Sequence, residues 1–261
     1  MKNESESDES RFSRFGLPVV GVVGLLAVWW LATIVFNISA FLLPSPWDIV
    51  LAFVELPGVM LLEAWTTLYE SLLGFGIATV IALTVALLIT SLRPVRRTVM
   101  PLLVAINSVP KLAVAPLLVI WMGFGSAPKI VMVTMICFFP IVLAAVTGLG
   151  STPGDFDELA RSLSASRWKT FFRIRLPWAL PQIFIGLKIA ISLAVIGAVV
   201  AELAGAEHGL GFVVVSSSQQ ASTAQAFAAV VLLTIESLSL FYALVGLERL
   251  LLPWAKATSA A

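Results

Sequence analysis

Glu158–Pro177 reads ELARSLSASRWKTFFRIRLP and is the one long charged stretch in a chain that otherwise reads as membrane. Thr152, Pro153, Gly154 and Asp155 precede it, giving a hydroxyl N-cap, a proline at the first helical position and an early acidic residue. The spacing predicts a short helix there. Phe156, Leu159, Ala160 and Leu163 fall at i, i+3, i+4 and i+7, so one face is apolar while Asp157, Glu158 and Arg161 lie elsewhere. Ser164–Ser166 end that helix. Trp168, Phe171 and Phe172, interleaved with Arg167, Lys169, Arg173 and Arg175, begin a second amphipathic turn that Pro177 limits. Two short helices at an angle form a compact, partly basic knob at a membrane surface, suited to docking another protein.

The rest of the chain supplies the membrane. Of 261 residues 59% are apolar and 12% charged, and the mean hydropathy is +1.02. That composition belongs to an all-α polytopic membrane protein. A formal charge of +1 argues against nucleic acid as a partner. The single cysteine, Cys137, rules out an internal disulfide and lies in an apolar run, where an inert packed thiol is expected.

Residues 1–16 are polar and acidic and read as a disordered cytoplasmic tail ahead of a membrane domain over 17–261. Residues 17–36 carry no charge and are long enough for about 30 Å of hydrocarbon. A secretory signal would be shorter and followed by a cleavage site, so an uncleaved anchor is expected. A loop with prolines 44, 46 and 57 and a short amphipathic piece near Asp48–Glu55 leads to a second span over 66–90. The third, 98–122, contains Pro110, Pro116 and Lys111 and cannot be a plain helix. Gly123–Lys129 is a tight connection, and 130–149 is an uncharged fourth span. The fifth, 178–203, carries Lys188 and ends at Glu202; a Gly- and Ser-rich connection with the lone His208 precedes the sixth, 226–247, which holds Glu236.

Placing the amino terminus inside puts thirteen basic residues in the inner segments and only Lys129 in the outer ones. This asymmetry orients the chain with both termini and the charged knob in the cytoplasm. No paired set of broken helices in two halves is visible, which counts against an inverted-repeat secondary transporter.

Glu158, Ala160, Ser164, Ile174, Leu176 and Pro177 form E-x-A-x3-S-x9-I-x-L-P. This resembles the EAA loop, E-A-A-x3-G-x9-I-x-L-P, of binding-protein-dependent ABC importer permeases. Leu159 stands for the first alanine and Ser164 for the turn glycine, so a positive φ at Ser164 would carry strain that capping of the next helix could offset. Leu43-Pro44-Ser45-Pro46, Pro110-x2-Ala113-x2-Pro116-Leu117, Trp121-Met122-Gly123-Phe124-Gly125 and Gly209-Leu210-Gly211 are similar to the nitrate, sulfonate, taurine and pyrimidine-precursor branch. The resemblance implies an inner-membrane permease with six spans in a homodimer. It implies two separate ATPase subunits that bind ATP, with no cofactor on this chain, and an extracytoplasmic solute-binding protein. It implies alternating access for a small polar solute, with Phe156, Glu158, Leu159, Ala160, Leu163, Ser164, Ile174, Leu176 and Pro177 coupling to the ATPase.

The residues exclude other chemistries. There is no G-x4-G-K-[ST] phosphate loop, since Gly123–Lys129 fails its spacing. One histidine and one cysteine cannot build an ordinary metal ligand set. His208 beside Glu207 reads as a solvated pair, and serines such as Ser192, Ser237 and Ser239 lack a nearby base. Charges inside spans are stronger signals, because each costs about 2.5–3.5 kcal/mol to insert. Lys111, Lys188 and Glu236 are therefore candidates for the translocation pathway, or else Glu236 pairs with one of the lysines and only holds helices together. Asn107 and Ser108 join Lys111 at the Pro110 break, as pathway or as static kink. Glu202 reads as outer gate or interfacial anchor. An ATP-independent secondary transporter or channel, or a membrane scaffold, would treat the charged loop as a simple connector or recruiting surface.

Overall fold

A computed structural model describes residues 16–91 and 93–254, and among them all regular structure is helical. The expected tail over 1–16 lies outside the described residues except for Gly16. The described residues up to Met60, with Val213–Val230, form one compact unit; Leu61–Phe212 and the residues from Val231 onward form the other.

In the first unit, α1 (Leu17–Val35) is apolar around its whole circumference. Its Trp29 ring lies 6.2 Å from that of Phe227. The next helix, α2 (Pro46–Glu55), starts on a reciprocal cap: the Ser45 hydroxyl accepts from the Asp48 N–H, and the Asp48 carboxylate accepts from the Ser45 N–H.

The remaining helices are α3 (Pro57–Ser91), α4 (Arg93–Asn107), α5 (Lys111–Met122), α6 (Ser126–Gly150), α7 (Gly154–Ser162), α8 (Arg167–Thr170), α9 (Leu176–Leu203), α10 (Leu210–Gln219) and α11 (Thr223–Leu251). Four helical stretches are long and apolar enough to cross a membrane: 57–91, 126–150, 168–203 and 223–251. Two further helical stretches, Thr98–Asn107 and Lys111–Met122, are long and apolar enough only when taken together, and they meet at 87°. The break falls at Pro110, whose extended backbone caps α5, whereas Pro116 sits inside α5 without ending it.

Three expectations from the sequence are corrected. The helix expected over 66–90 begins at Pro57, nine residues before Thr66, and Glu63, expected in a loop, is buried within it. Lys129 lies in the first turn of α6 and not in a connection; the tight turn before it uses Gly123 and Gly125 at φ 78° and 125°. Pro177 does not end the second helix of the charged stretch. A π turn over Phe171–Arg175 precedes it, in which the Leu176 N–H donates to the Phe171 carbonyl five residues back. That widened turn accommodates a ring with no N–H, so Trp168–Leu203 runs as one 36-residue helix.

The core of the second unit is built from small residues at helical spacing. Ala78, Ala82 and Ala86 of α3, Cys137, Ile141 and Ala145 of α6, and Ala190, Ala194 and Ala198 of α9 are all fully buried. Backbones approach closely where glycine allows it: a Cβ on Gly148 would stand 2.9 Å from the Ala179 carbonyl oxygen, and one on Gly197 3.0 Å from the Val133 Cα. Lipid gives apolar side chains no reason to leave it, so this close packing and interhelical bonding hold such helices together.

Candidate functional site

The charged stretch folds as two helices and a turn. The first, α7, closes with the Ala165 N–H donating to the Ala160 carbonyl at 2.9 Å, five residues back, and Ser164 occupies the left-handed position at φ 51°. A glycine would adopt that geometry freely; a serine is strained there. The following helix is capped by Ser166, not Ser164: its hydroxyl accepts from the Lys169 N–H at 3.3 Å. Thr152 does not cap α7, and its hydroxyl oxygen is buried with no hydrogen-bond partner among the described residues.

Its apolar face divides. Ala160 is buried, and the Phe156 ring packs 5.5 Å from Trp178. Leu163 is 72% exposed, as are Trp168 (74%) and Phe172 (55%), with the last two rings stacked at 5.9 Å. Glu158 is exposed on the same element; of Leu159 only its place in α7 is described. Ile174, Leu176 and Pro177 are half-buried, and Leu176 packs with Phe171 against the core. The element thus has residues anchored against α9 and, among the described residues, three exposed apolar side chains, Leu163, Trp168 and Phe172. Trp168 and Phe172 add exposed rings beyond the first helix, a signal present in their i, i+4 spacing.

At the Pro110 break, the Lys111 ammonium donates to the Asn107 amide oxygen at 2.6 Å, bridging the bend. The Ser108 hydroxyl donates to the Val104 carbonyl at 3.0 Å and closes the end of α4. Asn107 and Lys111 are half-buried and Ser108 is exposed.

The other charged groups do not pair as the sequence suggests. Lys188 binds both oxygens of Glu248, at 3.1 and 2.9 Å, tying α9 to α11. With Lys111 on Asn107 and Lys188 on Glu248, neither lysine partners Glu236, whose two buried oxygens have no hydrogen-bond partner among the described residues. His208 is likewise not in a solvated pair with Glu207: its Nδ1 lies 3.2 Å from Glu63 Oε1.

At the opposite end of α9 from the charged stretch lies a buried polar network. Glu63, Thr67 and Glu70 fall at i, i+4 and i+7 on one face of α3, and all three are buried, as are Lys129 and Glu202. Glu70 pairs with Lys129 at 2.7 Å, and the same ammonium donates to the His208 carbonyl at 3.0 Å. The Thr67 hydroxyl donates to Glu202 at 2.8 Å and accepts from the Leu210 N–H at 2.9 Å. Glu63 accepts from the Gly209 N–H at 2.5 Å and Glu202 from the Gly211 N–H at 2.6 Å. Three acceptors therefore take three successive amides at the start of α10, where a helix leaves N–H groups without internal partners. Sequence reading singles out Glu202 and the Gly209-Leu210-Gly211 motif but not Glu63, Thr67 or Glu70, although their helical spacing marks them.

Residues 78–256 match the family described as binding-protein-dependent transport system inner membrane component. The chain is 33% identical over 240 residues to the formylaminopyrimidine transport permease protein ThiX of Halalkalibacterium halodurans, covering 92% of this chain and 96% of that one. It is 32% identical over 237 residues to the taurine transport system permease protein TauC of Escherichia coli, covering 88% and 86%. Its fold is similar to that of a chain from an inward facing conformation of the MetNI methionine ABC transporter, with a TM-score of 0.66 at 21% identity over 75% of this chain and 97% of that one.

Proposed function

This chain belongs to the family of binding-protein-dependent transport system inner membrane components, and on that premise we propose that it is the permease subunit of an ATP-driven importer for a small polar solute. The solute class is that named for its relatives, an aminopyrimidine or a sulfonate such as taurine. Energy comes from two copies of a separate ATPase that bind ATP, and solute is delivered by an extracytoplasmic binding protein. Two copies of this chain line one pathway.

Six crossings are α1, α3, the broken α4–α5 pair, α6, α9 and α11, within a single membrane domain over 17–261. Both termini and the α7–α8 element are cytoplasmic, in keeping with the thirteen-to-one distribution of basic residues. Phe156, Glu158, Leu159, Ala160, Leu163, Ser164, Ile174, Leu176 and Pro177 form the coupling element, extended by Trp168 and Phe172. Asn107, Ser108 and Lys111 contribute polar groups to the pathway at the broken span, because interrupted backbone at membrane depth is tolerated only against protein or a water-filled cavity. Lys188, Glu202 and Glu236 stand along the same bundle, with Lys188 already neutralised by Glu248.

The observation that carries this reading is the exposed Leu163, Trp168 and Phe172 on a charged element continuous with a membrane-spanning helix. Full-length chain purified by a tag from its own cells should bring down a phosphate-loop ATPase and hydrolyse ATP. Absence of any such ATPase from a monodisperse preparation would overturn the reading. Side assignment is checked by Lys169→Cys in a Cys137→Ala background: an impermeant thiol reagent should label it only after the membrane is opened, and labelling from outside intact cells would contradict the orientation.

A further inference from the structure

The network at the far end of α9 sits at the opposite end of the same helix from the coupling element. Trp168–Leu203 is a single rod of 36 residues, about 54 Å at 1.5 Å per residue. Its last turn carries Glu202, whose carboxylate reaches α3 through the Thr67 hydroxyl and the 204–211 segment through the Gly211 N–H.

The 204–211 segment is moulded on these acceptors. Gly209 has φ 110°, and a Cβ there would meet the Glu202 carboxylate; a Cβ on Gly211 would stand 2.7 Å from Glu202 Oε2. The Gly209, Leu210 and Gly211 amides go to Glu63, Thr67 and Glu202 respectively. Lys129 adds α6 to the assembly by bonding both Glu70 and the His208 carbonyl.

Such a cluster is costly compared with apolar packing, since buried carboxylates must recover their lost hydration through directed bonds. Directed bonds fix one geometry where apolar side chains among lipid would permit sliding. We propose that Glu63, Thr67 and Glu202 are positioning residues of an amide clamp that locks the outer end of α9 to α3 and to the 204–211 segment, so that a displacement applied at the Trp168 end arrives there as movement of one body. This rests on the reading of α7 and α8 as the ATPase-coupling element. The clamp is what converts movement of one helix into movement of the outer side of the pathway.

The test uses the complex purified by a tag on the full chain, in a Cys137→Ala background, with two spin-label pairs. The inner pair, Ser91→Cys with Lys169→Cys, reports movement at the coupling element. The outer pair, Leu62→Cys with Glu207→Cys, spans the clamp from α3 to the connection, at positions exposed in the structure. Distances are read without nucleotide and with ATP and vanadate. In the otherwise unaltered clamp the inner distance should shift between states while the outer pair keeps one narrow distance. Glu202→Ala and Thr67→Val should leave the inner shift in place and broaden or split the outer distance in the ATP state. Thr67→Ser, which keeps the hydroxyl, should restore the narrow distance, and Glu202→Gln, which keeps one of the two acceptor oxygens, should restore it in part.

An outer distance that stays narrow in Glu202→Ala in both states overturns the clamp. So does equal broadening of both pairs without nucleotide, which is loss of packing alone. An inner pair that never moves in a complex with an intact clamp overturns the coupling reading and the transmission together, and is told apart by that unaltered control.

Discussion

Lys129 and Glu70 meet at 2.7 Å with side chains only 4% and 0% exposed. The one basic residue that the sequence assigns to an outer connection is thus folded into the bundle and neutralised there. Removing either partner leaves an uncompensated buried charge, which costs about 3–5 kcal/mol.

Lys129→Met and Glu70→Met should therefore each lower the thermal unfolding midpoint markedly. The double substitution Lys129→Met/Glu70→Met should lie well above the lower single variant, because it removes both charges together. Strictly additive losses would show that the two groups act independently.

The close fit of the glycines to Glu202 gives a second expectation. Gly209→Ala combines a left-handed backbone with a collision against the Glu202 carboxylate, and Gly211→Ala meets the same side chain. Both should cost stability, with yield and midpoint as readouts. Gly246→Ala in α11 has nothing within 4 Å of the added Cβ and should gain about 0.5–1 kcal/mol. A Gly209→Ala protein as stable as Gly246→Ala would contradict the packing described.

Much of this was legible in the sequence because it is periodic or punctuated. Apolar runs mark the four helices long enough to cross a membrane, Pro110 marks the break, and the unusual serine at the turn marks the positive φ seen at Ser164. What could not be read is pairing across distance. Glu236 facing two in-span lysines is a reasonable match on paper, yet Lys188 lies beside Glu248, sixty positions away on another helix. Likewise Glu63 looks like a loop residue until its acceptor role toward Gly209, 146 positions later, accounts for its burial. Charge alone does not indicate which of several distant partners the packing supplies.

At the turn, a non-glycine residue in the left-handed region costs about 1–2 kcal/mol. Ser164→Gly should relieve part of this, and the Ala165 N–H, which is bonded to the Ala160 carbonyl, should exchange with solvent about fivefold more slowly for each 1 kcal/mol gained. Faster exchange in Ser164→Gly would mean that the serine stabilises the turn.

Lys111 bridges the bend to Asn107, and no carboxylate pairs with it among the described residues. Lys111→Met should leave assembly with the ATPase intact while changing solute uptake or the stimulation of ATP hydrolysis by loaded binding protein. Unchanged uptake kinetics would assign the bend a static role.

In the proposed reading α7 and α8 hold the ATPase. Leu163 is 72% exposed just after α7, and covering such a side chain contributes roughly 1.5–3 kcal/mol. Leu163→Asp would instead bury an unpaired carboxylate at the contact, weakening it by several kcal/mol, where each 1.4 kcal/mol is about tenfold in affinity. The most direct measurement is the ATPase-to-permease ratio after purification of tagged wild-type and Leu163→Asp chains at equal expression. The ratio should collapse in Leu163→Asp while the membrane-embedded chain remains folded; a ratio and affinity equal to wild type would show that the ATPase docks elsewhere.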